Sequence, residues 1–269
     1  MNINCKDKAE LIKYQIKQKI EDDVKTGLEK PKFVIIQVGN NEASNRYVGG
    51  KMRDCSFVGI EAELIKLPEE STTEYVCEII KSRRNLCDAI MVQFPLPEHI
   101  DKAAILEEIP VDKDVDGLVK DSLFTPCTPL GVMCILKEIL GMELMGKKVL
   151  LLGRSELVGM PLFHLLQKEN ATVTLCHSKT WKKDIENFAE NAEIIISAVG
   201  KMGSIWPYYI RRGAIVIDVG INFDENGKMC GDIAESENYI KTPVPGGVGL
   251  MTRAMLLNNI YKAYEMRNK

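Results

Sequence analysis

The stretch GKKVLLLGRSELVG, residues 146–159, decides the fold of the second half of this chain. Its apolar run, residues 149–152, is typical of a strand that helices cover on both faces of a parallel sheet. Gly153 ends the strand, and the N–H groups after it lead into a helix N-terminus, which favours a bound phosphate. The pattern predicts a dinucleotide site. Because Ser155 replaces the second glycine of the usual Gly-x-Gly-x-x-Gly, a plain buried strand-to-helix turn remains the alternative.

Strand and helix patterns continue to alternate on the C-terminal side of this stretch. We predict strands at 147–153, 171–177, 193–200 and 214–220, with helices at 159–169 and 182–187. Strands that alternate with helices are typical of βαβ units with parallel strands. The second half is therefore predicted to be a Rossmann-like parallel-sheet domain.

The first half also alternates between strand and helix patterns. We predict helices at 7–24, 44–58, 71–85 and 101–109, and strands at 32–39, 63–67 and 89–94. Ser44 is the expected N-cap of the second of these helices. A further helix, with Thr128 as N-cap and Gly141 just past its end, connects the two halves, and Thr252 caps a last helix. The fold class is therefore α/β throughout.

Composition excludes several classes of function. The formal net charge of -3 does not favour nucleic acid or an anionic membrane surface, and no apolar run approaches the ~20 residues of a membrane span. The eight cysteines contain no Cys-x-x-Cys pair and the three histidines have no ligand spacing, so we expect neither a metal site nor a disulfide framework. We expect a cytoplasmic protein that acts on small molecules.

The end of the second strand in the Rossmann-like half predicts the cofactor. An Asp or Glu there would bind the ribose 2′-hydroxyl of NAD, but this sequence has Cys176, His177 and Ser178. Arg154 can reach a 2′-phosphate with its guanidinium group, so we expect NADP to be preferred over NAD. In the alternative, Arg154 and Ser178 are solvated loop residues. Ser155 is not a nucleophile of the Gly-x-Ser-x-Gly type, because Leu157 stands at the last glycine position.

Lys51 is the candidate chemical group of the first half. Ser44, Tyr47 and Lys51 stand at i, i+3 and i+7 and so line one stripe of the predicted helix. The adjacent pair Gly49 and Gly50 is costly inside a helix, which suggests that a ligand or another element comes close to it. Burial would lower the pKa of this lysine toward neutral pH. The common alternative is a solvated surface lysine.

Gln93 and Asp116 are further candidates. Gln93 stands at the carboxyl end of a predicted strand, where open α/β sheets form their ligand crevices. Asp116 lies in a charged loop, and its carboxylate could bind two N–H groups of a heterocycle. A solvated loop carboxylate is the alternative for Asp116.

Taken together, these residues resemble one family closely, the bifunctional methylenetetrahydrofolate dehydrogenase/methenyltetrahydrofolate cyclohydrolases. The matching motifs, in chain order, are Ser44-x-x-Tyr47-x-x-x-Lys51 running to Gly59-Ile60, Val92-Gln-Phe-Pro-Leu-Pro97, Lys113-Asp-Val-Asp-Gly117, Pro126-Cys-Thr-Pro129, Gly153-Arg-Ser155 with Val158-Gly159, Ala171-Thr-Val-Thr174 with His177-Ser-Lys-Thr180, Asp218-Val-Gly-Ile-Asn222 and Thr242-Pro-Val-Pro-Gly-Gly-Val-Gly249. The departures from the family pattern are Val111, Leu250 and Ile233, and none of them is a candidate catalytic residue.

The resemblance implies a two-domain protein with a folate cleft between the domains. The N-terminal α/β catalytic domain would span residues 1–125 and the NADP-binding domain residues 126–251, with the last helix, about 252–269, packed back on the first domain. It implies a homodimer formed through the cofactor domains. It also implies oxidation of 5,10-methylene-tetrahydrofolate with NADP and hydrolysis of the methenyl product to 10-formyl-tetrahydrofolate. These are steps of tetrahydrofolate interconversion in one-carbon metabolism and purine biosynthesis. A dehydrogenase without the second activity, or a non-catalytic NADP-binding protein, remains an alternative.

The resemblance also implies a role for each candidate residue. Lys51 would handle the proton, Gln93 would orient it, Ser44 would support it, Tyr47 would stack on the folate and Asp116 would hold the pterin. The cofactor would be lined by Gly153, Arg154, Ser155, Ser178 and Ile221, and its nicotinamide end would be closed by Pro245 and Gly246.

Overall fold

The computed structural model describes residues 3–141 and 143–268. The helices are α1 (Cys5–Lys25), α2 (Glu42–Val58), α3 (Thr73–Arg83), α4 (Lys102–Glu108), α5 (Cys127–Leu140), α6 (Gly159–Lys168), α7 (Lys182–Asn191) and α8 (Val248–Arg267). The strands are β1 (Lys32–Val38), β2 (Glu61–Leu67), β3 (Ala89–Val92), β4 (Lys148–Leu152), β5 (Thr172–Cys176), β6 (Ile194–Ser197), β7 (Ile215–Asp218), β8 (Asn222–Phe223), β9 (Met229–Cys230) and β10 (Ile240–Lys241). Residues 1, 2, 142 and 269 of the predicted domains lie outside the described residues.

The chain folds into two compact units. The first unit consists of Glu10–Cys127 together with the residues from Arg253 onward. The second unit consists of Thr128–Thr252 together with the residues up to Ala9. The N-terminal residues up to Ala9 thus group with the second unit, although the sequence assigns them to the first domain. Each unit contains its own parallel sheet, so the predicted α/β class with two parallel-sheet domains is confirmed.

The first unit is built on a parallel sheet with strand order β2-β1-β3. Asp114 extends this sheet by a single parallel bridge to Ile90 on β3. Strand β3 is buried throughout, and β1 is buried after its first residue, as helices on both faces require. One face of the core consists of alternate residues of β1 packed with helix residues, namely Val34, Ile36, Val38, Val76, Ile80 and Ile105.

The second unit contains five parallel strands in the order β10-β7-β6-β4-β5. Strands β8 and β9 form a separate antiparallel pair. Because β4 lies between β5 and β6, the chain winds outward in both directions from β4. Sheets of this doubly wound type bind ligands outside the carboxyl ends of the strands, at the point where the winding direction reverses. In this unit that point lies between β4 and β6.

Three helices begin before the predicted caps. Helix α2 begins at Glu42 because the Asn41 side chain accepts a bond from Ser44 N at 3.0 Å, so Asn41, and not Ser44, is the N-cap. Helix α5 begins at Cys127, which places Thr128 inside it. Helix α8 begins at Val248, four residues before Thr252, whose hydroxyl instead donates to Val248 O at 3.1 Å.

The C-terminal part of α8 completes the core of the first unit. The buried Asn259 side chain donates to Val115 O at 2.9 Å and to Thr125 O at 3.1 Å. The Tyr261 hydroxyl donates to the Asp23 carboxylate on α1 at 2.9 Å. These bonds anchor the helix to the beginning and to the end of the segment Glu10–Cys127.

All eight cysteines are free thiols, and six of them are buried. Across residues 3–141 and 143–268, none of the helices combines the length and apolar character that a membrane crossing requires.

The buried Asp114 carboxyl predicts a pH-dependent stability. Burial raises its pKa from 3.8 to about 6, although Val119 N donates to it at 2.8 Å. The folded state therefore retains a proton that the unfolded state has lost between about pH 4 and pH 6, and stability falls as pH rises through that window. Asp114→Asn keeps an acceptor for Val119 N but cannot titrate. We expect its free energy of unfolding, relative to that of the parent, to be higher at pH 7 than at pH 4 by up to about 3 kcal/mol. Urea unfolding at both pH values measures this, and a pH-independent difference would contradict it.

Candidate active site

Helix α2 and strand β3 bring Lys51 and Gln93 together. Lys51 Nζ donates to Gln93 Oε1 at 2.9 Å, and Met91 Sδ lies 3.3 Å from the same nitrogen. Met91 belongs to β3 and Gln93 directly follows it, so alternate residues of one extended segment contact the ammonium group. The predicted pairing of Lys51 with a strand end thus forms a direct contact in the structure.

The Gln93 amide has a fixed orientation. Its main chain continues the sheet, because Gln93 N donates to Ile36 O at 2.8 Å. Its side-chain nitrogen donates to Phe94 O at 2.5 Å, and the residue is 8% exposed. With Nε2 committed to a carbonyl, Oε1 is the atom that faces Lys51. The amide is therefore an acceptor toward the lysine.

Lys51 has a pKa below that of an ordinary lysine, mainly because burial penalises its charged form. The negative charge of Asp116 acts in the opposite direction. Both hydrogen-bond partners found for Lys51 in the described part of the chain, an amide oxygen and a thioether sulfur, are neutral. Neutral acceptors compensate a buried ammonium less than a carboxylate would. The arrangement therefore disfavours the charged form of this amine.

Ser44 and Tyr47 share α2 with Lys51 but are not joined to it by a hydrogen bond in the described residues. Ser44 is 3% exposed, and its Oγ has no hydrogen-bond partner among residues 3–141 and 143–268. Tyr47 is 37% exposed, so part of its ring is accessible to a ligand. Partial burial raises the pKa of the Tyr47 hydroxyl, which remains neutral at physiological pH.

Asp116 lies in the loop that follows the Asp114 bridge. It acts electrostatically on Lys51 and on the fully buried Cys127 thiol, whose pKa burial and the Asp116 charge both raise. Cys127 Sγ donates to Val115 O at 3.2 Å, the carbonyl that also accepts from Asn259. The backbone directly before Asp116 is therefore held by α5 and α8.

In the second unit, the predicted phosphate turn has the close backbone packing that its glycines suggest. Gly153 has φ +107°, and a Cβ on it would lie 2.5 Å from Ala198 O. A Cβ on Gly159 would lie 2.2 Å from Gly153 O. Ser155 Oγ accepts from Val158 N at 3.3 Å and from Gly159 N at 3.4 Å, so the serine satisfies two N–H groups at the start of α6. The serine at the irregular motif position thus has a structural function.

The other predicted cofactor residues also follow parallel strands. Ser178 comes after β5, Ile221 after β7, and Pro245 and Gly246 after β10. Because all five strands are parallel, these residues lie at the same edge of the sheet as the phosphate turn. Arg154, Ser155, Ser178, Pro245 and Gly246 are at least partly exposed, and Ile221 is 44% exposed. Every predicted cofactor side chain is thus available to a ligand at that edge.

A buried carboxylate, Asp218, connects the loops at this edge, and it is not among the site residues predicted from the sequence. It accepts from Gly220 N at 3.1 Å, Asp232 N at 2.9 Å and Ile233 N at 3.0 Å, and it pairs with Lys241 at 3.0 Å. Both charged side chains are almost completely buried. The ion pair with Lys241 connects the end of β7 with the end of β10. Ile221 follows the first of these strands and Pro245 the second.

A second buried carboxylate, Asp232, holds the loop after β6. Its Oδ2 accepts from Ser197 Oγ at 2.8 Å, Val199 N at 3.0 Å and Gly200 N at 3.2 Å. Its Oδ1 accepts from Asn222 Nδ2 at 2.9 Å.

A sequence signal existed for Asp218, because a carboxylate at the end of an apolar strand requires several donors. Its partners could not be read from the local sequence.

Groups of three or more His, Cys, Asp or Glu side chains that could hold a metal ion do not occur among the described residues. What the structure does contain is a desolvated lysine at one strand end in the first unit and a doubly wound sheet with a phosphate turn in the second. These features define a two-unit α/β protein of the dinucleotide-binding class.

Similarity to known proteins identifies the family. Residues 3–116 match the catalytic domain of tetrahydrofolate dehydrogenase/cyclohydrolase, and residues 126–268 match its NAD(P)-binding domain. The chain belongs to the tetrahydrofolate dehydrogenase/cyclohydrolase family, which confirms the resemblance predicted from the sequence.

Relatives of known name match over nearly the full length. The bifunctional protein FolD of Lysinibacillus sphaericus is 42% identical over 278 residues, covering 98% of this chain and 96% of the relative. The crystal structure of the bifunctional FolD enzyme from Campylobacter jejuni has a TM-score of 0.93 at 38% identity and 99% coverage of both chains. The Trypanosoma brucei enzyme, solved with NADP and an inhibitor, has a TM-score of 0.92 at 31% identity, covering 100% of this chain and 98% of that one.

The phosphate turn gives a matched pair of glycine substitutions. We expect Gly159→Ala to lower the free energy of unfolding by about 2 kcal/mol or more, because the added Cβ would overlap Gly153 O. Gly249→Ala also lies in the first turn of a helix, but a Cβ there meets nothing within 4 Å. It should be neutral or stabilise by up to about 1 kcal/mol. Urea unfolding of both variants measures this, and equal effects would contradict the close packing.

Proposed function

We propose that this chain oxidises 5,10-methylene-tetrahydrofolate to 5,10-methenyl-tetrahydrofolate with NADP and then hydrolyses the methenyl compound to 10-formyl-tetrahydrofolate. The observation that carries the proposal is the buried Lys51, whose ammonium group faces the Gln93 amide oxygen within the family's catalytic domain. The full-length similarity to bifunctional FolD proteins supports both activities in one chain.

Lys51 suits the hydrolytic step because that step consumes a cation and a water molecule. The water oxygen bonds to the methenyl carbon and releases one proton, and the ring then opens at a carbon–nitrogen bond. A neutral amine can accept the released proton, whereas an ammonium ion would repel the cationic substrate. The lowered pKa of Lys51 increases the fraction of neutral amine. Gln93 holds the amine in place through its 2.9 Å contact.

Asp116 and Tyr47 are the proposed folate contacts. The Asp116 carboxylate can accept two N–H bonds from the pterin, and the accessible Tyr47 ring can stack on it. The buried Ser44 hydroxyl lacks a partner among the described residues, and its proposed support of Lys51 stays a prediction.

NADP fits the edge of the second sheet. When bound, this cofactor accepts the hydride that the methylene carbon loses. Residues 154–157 are exposed in the turn before α6, so a phosphate can approach the backbone of that turn. Arg154 and Ser178 would bind the 2′-phosphate, because no carboxylate follows β5 at residues 177–180. Ser155, Ile221, Pro245 and Gly246 would line the rest of the cofactor.

Domain roles, assembly and location complete the proposal. Residues 1–125 would bind the folate and residues 126–251 the cofactor, with the last helix returning to the first domain. Two copies would associate through their cofactor domains, and the free cysteines suit a reducing cytoplasm. A folate cleft between the two domains stays a prediction from the resemblance.

Both activities can be followed in one cuvette with the purified chain, methylene-tetrahydrofolate and NADP. Methenyl absorbance should rise and then decay as 10-formyl-tetrahydrofolate forms. We expect Lys51→Met to reduce hydrolysis of added methenyl-tetrahydrofolate by about 100-fold or more, since it removes the proposed proton acceptor.

Lys81→Met is the matched control, because Lys81 lies on α3 with 51% of its side chain exposed. It should retain the parent rate. Unchanged hydrolysis in Lys51→Met would refute the role of Lys51, and a parent enzyme that accumulates methenyl product without decay would indicate a dehydrogenase only.

Cofactor preference tests Arg154. We expect the parent to prefer NADP over NAD, and Arg154→Gln to lower kcat/KM for NADP by about 10-fold or more while changing that for NAD much less. Steady-state rates with both cofactors measure this, with the exposed Arg84→Gln as control. Equal efficiency of the parent with NADP and NAD would contradict the assignment.

A further inference from the structure

A side chain on Gly50, directly before Lys51, would be crowded by a guanidinium group. A Cβ on Gly50 would lie 3.0 Å from Arg253 Nη1 and 3.1 Å from Arg253 Cζ. Arg253 Nη2 also donates to Gly50 O at 3.4 Å. The neighbouring Gly49 has a looser surrounding, since a Cβ there would lie 3.5 Å from Arg53 Nη1. The glycine at position 50 thus admits an arginine from α8 to the backbone that carries Lys51.

The same arginine forms a two-point ion pair with Asp54. Arg253 Nε lies 2.6 Å and Nη2 2.5 Å from Asp54 Oδ2. Lys13 Nζ, from α1, lies 2.7 Å from the other oxygen, Oδ1. The side chains of Lys13, Asp54 and Arg253 are 12%, 10% and 23% exposed, so water screens this cluster only partly. We call these three residues the α1–α2–α8 cluster.

The cluster contacts α2 on both sides of Lys51 in the sequence, at Gly50 and at Asp54. It also carries a net positive charge. Gly50 precedes Lys51 and Asp54 follows it by three residues, so both anchor points lie within one helical turn of it. Two cations share one carboxylate, which leaves a formal charge of +1. The other groups that act on Lys51 are the Asp116 carboxylate and the thiols of Cys55 and Cys127. Its remaining contacts, Gln93 and Met91, are neutral.

We propose that Arg253 and Asp54 are positioning residues for Lys51: they clamp the turn of α2 that carries it and hold a net positive charge within one helical turn of it. The catalytic part of this proposal rests on the proposed function, whereas the electrostatic part concerns Lys51 alone. A nearby positive charge disfavours the ammonium form, so the cluster adds to the effect of burial. Arg253 contributes in this direction to the lowered pKa of Lys51.

Two single substitutions separate charge from structure, because each breaks the same ion pair. Arg253→Gln changes the formal charge of the cluster from +1 to 0, and Asp54→Asn changes it to +2. We expect the Lys51 titration to move upward by about 0.5 pH unit in Arg253→Gln and downward by a similar amount in Asp54→Asn. A purely structural disturbance would move both variants in the same direction.

Nuclear magnetic resonance of the full chain with ¹³C-labelled lysine measures the titration directly. The Cε signal of Lys51 is assigned by its loss in Lys51→Met and is followed as a function of pH. Lys13→Met also reduces the cluster charge to 0 but leaves Arg253 against Gly50, so it should shift the titration upward even if Arg253→Gln folds poorly. Arg84→Gln, a surface control, should leave it unchanged.

Opposite shifts in Arg253→Gln and Asp54→Asn support the proposal, and shifts of one sign or of less than about 0.1 pH unit overturn it. In the active enzyme, the acidic limb of the hydrolysis rate should move with the titration of Lys51 in each variant. A parent enzyme without hydrolase activity would overturn the proposed function. The resonance shifts would still decide whether the cluster controls the charge of Lys51.

Discussion

The desolvation of a single ammonium group is the constraint on which the candidate site depends. Lys51 exchanges water for an amide oxygen and a thioether sulfur, and neither provides a counter-charge. Such burial is unfavourable for the charged form and is tolerated only where the surrounding elements are rigid. Strand β3 supplies that rigidity, because it is buried along its whole length and pairs with the central strand β1. The chemistry of the lysine therefore follows from the packing of the sheet.

In the second unit, by contrast, buried charges are compensated by hydrogen bonds and an ion pair. Asp218 and Asp232 are almost completely buried, yet each carboxylate accepts several hydrogen bonds, and Asp218 also pairs with Lys241. Two glycines make this arrangement possible, since a Cβ on Gly220 would lie 1.9 Å from Asp232 Oδ1 and a Cβ on Gly231 2.0 Å from Asp218 Oδ2. Fully satisfied networks of this kind give loops a single conformation. The hydrogen bonds of these two carboxylates thus fix the shape of the loops at the dinucleotide-binding edge.

Local patterns predicted the strands β1 to β7, because apolar runs and glycine breaks depend on near neighbours alone, but they did not predict the two-residue strand β10. Helix starts were harder to predict. Asn41 and Ser44 are both good caps, and the choice between them depends on how α2 packs. The partner of Gly50 could not be predicted. Gly50 packs against Arg253, 203 residues away along the chain, and no local pattern connects them.

The discontinuity of the first unit has a consequence for its biosynthesis. Its core includes Asn259 and Tyr261 of α8, which bond to residues near position 115 and to Asp23. A ribosome therefore releases the whole of Thr128–Thr252 before it supplies the helix that closes the unit begun much earlier. The second unit can complete its sheet first, while the open face of the other remains exposed to chaperones and proteases. A chain that terminates before Arg253 would lack the helix that closes the first unit.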